Sequence, residues 1–397
     1  MLINENFFKI KNKYLFSNIL QIVKGKKKEE EDIEFIDLSI GDVKLPLNKK
    51  VVNELHRAVD DMGDEENFKG YSPEQGYEFL RNEIAEKYKE QGVTLNLEDI
   101  FVNDGSKSDL GNITEIFSRE NIIGLQSVVY PVYLDVCKMG GFEYTCIKSY
   151  EKNNFLPMPK DIVGDIPTII YLCSPNNPTG MAYNKEQLEK WVKYALNNGI
   201  VIIFDAAYKT FINESDIPTT IYQIDGAKNC AIEICSFSKS AGFTGLRCGY
   251  TIIPSAIRVR SLFCDKHISL NSLWQRRQAT KFNGVSYLTQ KAATKVLEEN
   301  LYENVAYYRN NAKLLTEAFS NLNFKYWGGV NSPYVWLKCP PAFDSMEYFY
   351  FLLNRFKVVV TPGIGFGREG KNFVRISVLN KLEEITKCIE KFNNYYG

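Results

Sequence analysis

The residues with the clearest chemical potential surround Lys239, in the run Ser236-Phe237-Ser238-Lys239-Ser240-Ala241-Gly242-Phe243-Thr244-Gly245-Leu246-Arg247, directly after the apolar segment Ala231 to Cys235. A lysine amine at the carboxyl end of a strand can condense with an aldehyde to an imine. Ser236, Ser238 and Arg247 beside it can hydrogen-bond and neutralise a phosphate. Alone, the window has a plain alternative, because most lysines are surface solubilisers and Ser/Gly loops are common. Upstream, Val201-Ile202-Ile203-Phe204 ends at Asp205, followed by Ala206, Ala207 and Tyr208. A strand-end aspartate commonly serves as a turn residue or cap. If buried, it has a second use: it keeps a pyridine nitrogen protonated through a charge-assisted bond of roughly 1.5 to 3 kcal/mol, and the ring becomes an electron sink. Tyr208 would then hydrogen-bond the ring's phenolic oxygen and depress the pKa of the imine.

Two further windows fit the same chemistry. Tyr171-Leu172-Cys173-Ser174-Pro175-Asn176-Asn177-Pro178-Thr179-Gly180 again follows an apolar run. Its Asn-Pro and Thr-Gly pairs build turns without any function, but Asn177, stiffened by neighbouring prolines, could donate to the same phenolic oxygen. Gly105-Ser106-Lys107 follows Ile100 to Val102 and opens a segment with Leu110, Ile113 and Phe117 at helical spacing. Free N–H groups at such a junction attract phosphate, although any α/β protein has several.

The elements that must carry these windows are short apolar runs alternating with amphipathic stretches: Ile100 to Val102, Asn121 to Leu125, Thr168 to Cys173, Ile200 to Phe204 and Ala231 to Cys235, with helical spacing between them as in Lys185 to Leu196. That alternation predicts βαβ units around a mainly parallel sheet, an α/β fold whose ligands sit at the carboxyl ends of the strands. Ser72-Pro73-Glu74-Gln75 offers a cap, a first-turn proline and a glutamine before Tyr77, Leu80, Ile84 and Tyr88, so a helix is expected from Ser72 to near Gly92. Leu262 to Phe319 reads as helices leaving the sheet. From Phe324 onward, Tyr334 to Leu337, Val358 to Val360 and Phe373 to Ile376 read as strands of a smaller α+β unit, with the N-terminal arm folded back beside it. The charged run Lys24 to Asp32 reads as a solvated excursion. The division expected is an N-terminal arm and part of the small domain over 1–48, a large domain over 49–295 and a small C-terminal domain over 296–397.

Composition narrows the function. Lys plus Arg and Asp plus Glu both number 48, so nothing steers the chain toward nucleic acid or an anionic membrane, and small molecules and copies of itself are the expected partners. Apolar residues make up 45% of the chain, with no run near the roughly 20 that a membrane helix needs. Residues Met1 to Val23 lack the apolar core and cleavage site of a signal peptide, so cytoplasmic residence is expected. Nine cysteines without a CxxC pair read as reduced thiols. The two histidines, His56 and His267, stand at no ligand spacing, so no metal is expected and a proton carrier would be Lys, Tyr, Asp or Glu. No GxGxxG follows the first strand, which disfavours a nicotinamide-binding fold.

Together the four windows resemble the fold-type-I family of pyridoxal-phosphate aminotransferases, with a large domain around a mainly parallel sheet and a smaller α+β domain. The likeness covers essentially the whole chain through LSIGDV from Leu38, GYSPEQGYEFLR from Gly70, VYPVYLD from Val129, FDAAYKTFI from Phe204, SFSKSAGFTGLRCGYT from Ser236, TKFNGVSY from Thr280, GGVNSPYVW from Gly328 and TPGIGFG from Thr361. These long stretches are similar to the branch of that family that moves an amino group between LL-diaminopimelate and 2-oxoglutarate, a step toward lysine and cell-wall precursors.

The resemblance implies pyridoxal 5′-phosphate on Lys239, which would also shuttle the substrate proton, with Asp205 and Tyr208 completing the catalytic group. Gly105, Ser106, Lys107, Ser236, Ser238 and Arg247 would hold the phosphate, Tyr130 would stack on the ring, and Asn177, Asp205 and Tyr208 would bind its edge. Tyr71 and Asn283 would reach the cofactor across a homodimer interface. Arg375 would grip the substrate α-carboxylate, since a planar fork suits a carboxylate; read without the family it is a surface arginine on an edge strand. Tyr14, Gly41, Glu74, Lys107, Tyr130, Asn177 and Asn283 would shape the substrate pocket, Glu74 facing the distal ammonium. Two departures stand out: Ser106 replaces the family's usual Ala, and Ser127-Val128 replaces its usual Asp-Pro, a change expected to loosen the loop carrying Tyr130. An aminotransferase for another amino acid, a β-eliminating lyase on the same scaffold and a cofactor-binding regulatory domain remain alternatives. Against the last, no DNA-binding helix pair or basic arm is attached.

Overall fold

The computed structural model describes residues 1–10, 15–30 and 33–397. Eight strands form the main sheet in the order Ile100–Asn103, Gly249–Ile252, Ala231–Ser236, Val201–Asp205, Ile169–Cys173, Ile122–Gln126, Glu143–Ile147 and Ile162–Val163. The five from Ala231–Ser236 to Glu143–Ile147 run parallel, while Gly249–Ile252 and Ile162–Val163 run antiparallel to their neighbours. The central runs are apolar throughout because both faces are covered. One face packs Leu80, Ile84, Trp191 and Val296 of three helices, and the other packs Leu110, Tyr133, Cys137 and Trp274. Local signals set the ends of the crossovers. Helix Lys185–Asn198 starts at an Asn184–Gln187 capping box and stops at Gly199, which takes φ +63°.

A second, antiparallel sheet has the order Tyr326–Gly328, Tyr334–Lys338, Phe373–Ser377 and Thr361–Pro362. Beside it the N-terminal strand Ile36–Asp37 pairs in parallel with Val358–Val359. Ile19, Val23 and Phe35 join the same core as Leu315, Ile385 and Phe392, so these N-terminal side chains are packed on the last hundred residues. Among the described residues no helix is long and apolar enough to cross a membrane.

Four local expectations need correction. The helix after Ser72 begins only at Glu78, because Gly76 takes φ +91° and the Gln290 side chain instead ties up the Tyr77 N–H and the Ser72 hydroxyl. The run from Lys24 is not an excursion as far as Glu29: it is the last part of helix Leu15–Glu29, closed by Lys26 pairs to Glu29 and Glu30. Leu262 lies at the tip of a hairpin, Arg258–Ser261 with Lys266–Ser269, and the helices start only at Leu270. Phe373–Ser377, which carries Arg375, is an interior strand rather than an edge.

Candidate active site

A cavity of about 310 Å³ opens where the parallel strands end, and it is lined by Ser106, Lys107, Tyr130, Asn177, Asp205, Tyr208, Ser236, Ser238, Lys239, Arg247, Gly41 and Arg375. Residues separated by more than three hundred positions thus share one surface, because the N-terminal segment and the second sheet roof the carboxyl edge of the first.

Lys239 sits in the short helix Phe237–Ser240, which is capped by the Ser236 hydroxyl accepting from the Ser238 N–H at 3.1 Å. Its ammonium donates to the Gly41 carbonyl. Burial pulls that ammonium down to about 8; Asp42 opposes the shift, while Arg247 and Arg375 add to it. An amine so tuned is a competent nucleophile and proton carrier near neutrality.

Beside it, Arg247 donates to the Ser238 hydroxyl at 3.3 Å and holds φ +62°, a left-handed backbone that non-glycine residues adopt at a cost. Gly105, at φ +114°, is needed because a Cβ there would lie 2.3 Å from an Arg247 guanidinium nitrogen. Its N–H donates to Asn103 Oδ1 at 3.0 Å, and the Asn103 amide in turn donates to Asp109 at 2.8 Å and to Thr251 at 3.0 Å. Serine hydroxyls, a lysine and an arginine so placed make a donor set suited to a phosphate.

Asp205 ends its strand almost wholly buried. Oδ1 accepts from the Ala207 N–H at 3.0 Å and Oδ2 from the Tyr133 hydroxyl at 2.5 Å. Burial pushes it up to about 6, against the pull of those two donors. Tyr208 donates to or accepts from the Tyr334 hydroxyl at 2.8 Å, and burial holds its phenol well above the usual range. Arg375, 1% exposed, donates to Asn177 Oδ1 at 2.8 Å, to the Ser39 carbonyl at 2.5 Å and to Thr361 Oγ1 at 3.3 Å, with its guanidinium 4.5 Å from the Tyr334 ring centre. A buried cation fixed by neutral oxygens is ready for an anionic group entering the cavity.

The loop before Tyr130 is tied at Ser127 and Val128 to neighbouring elements. The Ser127 hydroxyl donates to the Ser149 carbonyl at 3.1 Å and accepts the Ser149 N–H at 2.9 Å, while Val128 is fully buried among Phe155, Trp336, Phe366 and Phe373. Tyr71, Glu74 and Asn283 are exposed and do not line the cavity of the single chain. Tyr14 lies outside the described residues. Sequence reasoning missed Tyr133, Tyr334 and Asp42. Each sits inside a stretch quoted for the family likeness, VYPVYLD, GGVNSPYVW and LSIGDV, but no spacing rule marks a tyrosine that reaches another element.

A mainly parallel sheet with an amine, a buried carboxylate and a phosphate-type donor set at its carboxyl edge defines a class, and the family model for class I and II aminotransferases matches residues 33–392: the chain belongs to that family. Its relatives include the LL-diaminopimelate aminotransferases of Lachnospira eligens, 45% identical with 98% of each chain covered, and of Methanosphaera stadtmanae, 43% identical with 98% of each covered. Among solved structures, the L,L-diaminopimelate aminotransferase of Chlamydomonas reinhardtii superposes with a TM-score of 0.93 at 34% identity, covering 100% of this chain and 99% of that one.

Proposed function

We propose that the protein is a pyridoxal-phosphate-dependent aminotransferase that moves an amino group between LL-diaminopimelate and 2-oxoglutarate, working as a cytoplasmic homodimer. The observation that carries the reading is the convergence of Lys239, Asp205, Arg247 and Arg375 on one cavity. The relatives named for LL-diaminopimelate support the choice of substrate. Pyridoxal phosphate fits the residues present: Arg247, Ser236, Ser238 and Lys107 supply phosphate donors, the gap kept by Gly105 leaves the Arg247 guanidinium room, and Asp205 offers a carboxylate to a ring nitrogen.

When bound, the cofactor supplies the carbonyl that captures the amino group and the ring that takes up the electron pair left at the substrate carbon. The chain supplies the rest. Lys239 would hold the cofactor through Nζ and, as a free amine, would carry at Nζ the proton lost from the substrate α-carbon. Asp205 would keep a proton on the ring nitrogen, Tyr208 and Asn177 would hydrogen-bond the ring's oxygen, and Tyr130 would pack on the ring. Arg375 orients the substrate by its α-carboxylate, which fixes which bond at the α-carbon can break. The same fork would receive the matching carboxylate of 2-oxoglutarate, as a two-stage transfer requires. Tyr71 and Asn283, exposed on one chain, would complete the site from the partner subunit, and Glu74 would face the distal ammonium.

Mixing the yellow holoprotein with single amino acids tests this. Absorbance of the bound cofactor should fall with LL-diaminopimelate and with glutamate, and stay constant with aromatic amino acids. Bleaching by aromatic amino acids alone would overturn the substrate reading; pyruvate release from a β-substituted amino acid would turn it toward a lyase. A protein that stays colourless with pyridoxal phosphate would overturn the cofactor itself.

A further inference from the structure

Asp205 is not held by its own strand alone. Tyr133, on helix Pro131–Gly140 and 1% exposed, donates its hydroxyl to Asp205 Oδ2 at 2.5 Å. Its ring stacks on Tyr171 with centroids 4.9 Å apart and planes 25° from parallel, and its edge meets Tyr130 at 5.8 Å. Tyr171 in turn donates its hydroxyl to the Leu110 carbonyl at 2.8 Å, in helix Ser106–Asn112. One aromatic pair therefore ties together the strand that ends in Asp205, the turn that presents Tyr130 and the helix that begins at Ser106.

The two Asp205 donors fall on different oxygens. An ionised carboxylate has about four acceptor positions, so each oxygen keeps capacity toward the cavity it lines. A buried carboxylate with neutral donors is also expensive to keep charged, and losing one donor removes part of what offsets its desolvation.

We propose that Tyr133 is a positioning residue for amino transfer, its hydroxyl fixing the rotamer of Asp205 and stabilising the carboxylate as an anion that can hold a proton on the ring nitrogen of the bound cofactor. The role presupposes pyridoxal phosphate in this cavity. No other side chain hydroxyl among the hydrogen bonds to Asp205 can take it over. Burial already pushes Asp205 up to about 6, and without the Tyr133 donor the carboxylate becomes more basic still and draws the shared proton from the ring nitrogen to itself.

Tyr133→Phe tests this because it keeps the ring, and with it the Tyr171 and Tyr130 contacts, and removes only the hydroxyl. In the holoenzyme, kcat should fall about 10- to 100-fold with little change in KM. The resonance of ring-15N pyridoxal phosphate should move from the pyridinium toward the neutral pyridine position, and the acid limb of the kcat profile should move to higher pH. Melting of the cofactor-free variant should drop only modestly, by what one lost hydrogen bond to a buried carboxylate costs. A 15N resonance and a kcat within about twofold of wild type would overturn the role. So would a kcat loss with an unmoved resonance and a lowered melting temperature, which is the signature of a merely structural tyrosine. A wild-type protein that takes up no pyridoxal phosphate overturns the cofactor reading and this role with it, and is told apart at once by the missing colour.

Discussion

Asp205 and Glu233 are buried carboxylates on adjacent parallel strands, one register step apart: Phe204 faces Glu233 and Asp205 faces Ile234. Because side chains alternate, that step sends them to opposite faces of the sheet. Glu233 is enclosed. Oε1 accepts from Lys209 at 3.3 Å and from the Tyr88 hydroxyl, and Oε2 from the Thr220 hydroxyl at 2.6 Å and the Ile221 N–H at 2.9 Å. The Lys209 ammonium also donates to the Tyr88 hydroxyl at 2.7 Å and lies 4.2 Å from that ring's centre. The result is a clamp between the strand before Lys239 and the loop after Asp205. Among the described residues, Asp205 accepts from two neutral donors, and it borders a cavity. The same functional group thus becomes structural where a cation and three hydroxyl or amide donors close around it, and reactive where one side is left to an incoming ligand.

Exchanging charge at the two positions should separate these roles. Asp205→Asn should lower kcat of the holoenzyme by about 10²- to 10³-fold, since it removes the charge without the shape, while leaving the melting temperature unchanged or raised. Steady-state kinetics beside a thermal melt would check both. Glu233→Gln should do the reverse. With Lys209 left largely enclosed and without its carboxylate, unfolding stability should fall by roughly 3 kcal/mol, and the folded fraction should retain its kcat. If Glu233→Gln impaired turnover in fully folded protein, the division between clamp and site would be wrong.

Arg375→Lys should come next, costing about 10- to 100-fold in kcat/KM for every amino acid substrate, because a point charge cannot reproduce the planar fork now shared among Asn177, Ser39 and Thr361. The smallest effect is on the pH dependence of stability. Asp205 is raised from 3.8 to about 6, so its charged form weakens the folded state. Relative to Asp205→Asn, the cofactor-free wild type should be most stable near pH 4 and lose up to roughly 3 kcal/mol as pH rises through about 6. Urea titrations of both proteins at pH 4, 5, 6 and 7 would measure it, and a constant difference across that range would refute the raised pKa.

Much of this was legible beforehand. The runs ending at Asp205, Cys173 and Cys235 are strands because fully buried parallel strands must be apolar along their length, a pattern visible without coordinates. The helix expected from Ser72 starts later because its capping signals are local, whereas the Gln290 side chain that displaces them lies more than two hundred residues away. Tyr133 and Tyr334 were illegible for a related reason. A tyrosine in a protein with 24 of them carries no mark of the distant hydroxyl or carboxylate it will meet. Read without the family likeness, Arg375 is a surface arginine on an edge strand; the order of the second sheet instead places its strand between two others.

The sequence by itself determined the strands of the main sheet and which of their ends carry an amine, a carboxylate and phosphate-type donors, since those follow from local periodicity and residue chemistry. Only the tertiary structure decided that Gly41 and Arg375 roof the same cavity as Lys239, that Asp205 rather than Glu233 faces it, and that burial tunes Lys239 down and Asp205 up. Convergence and desolvation are properties of how distant segments pack, and no single segment encodes them.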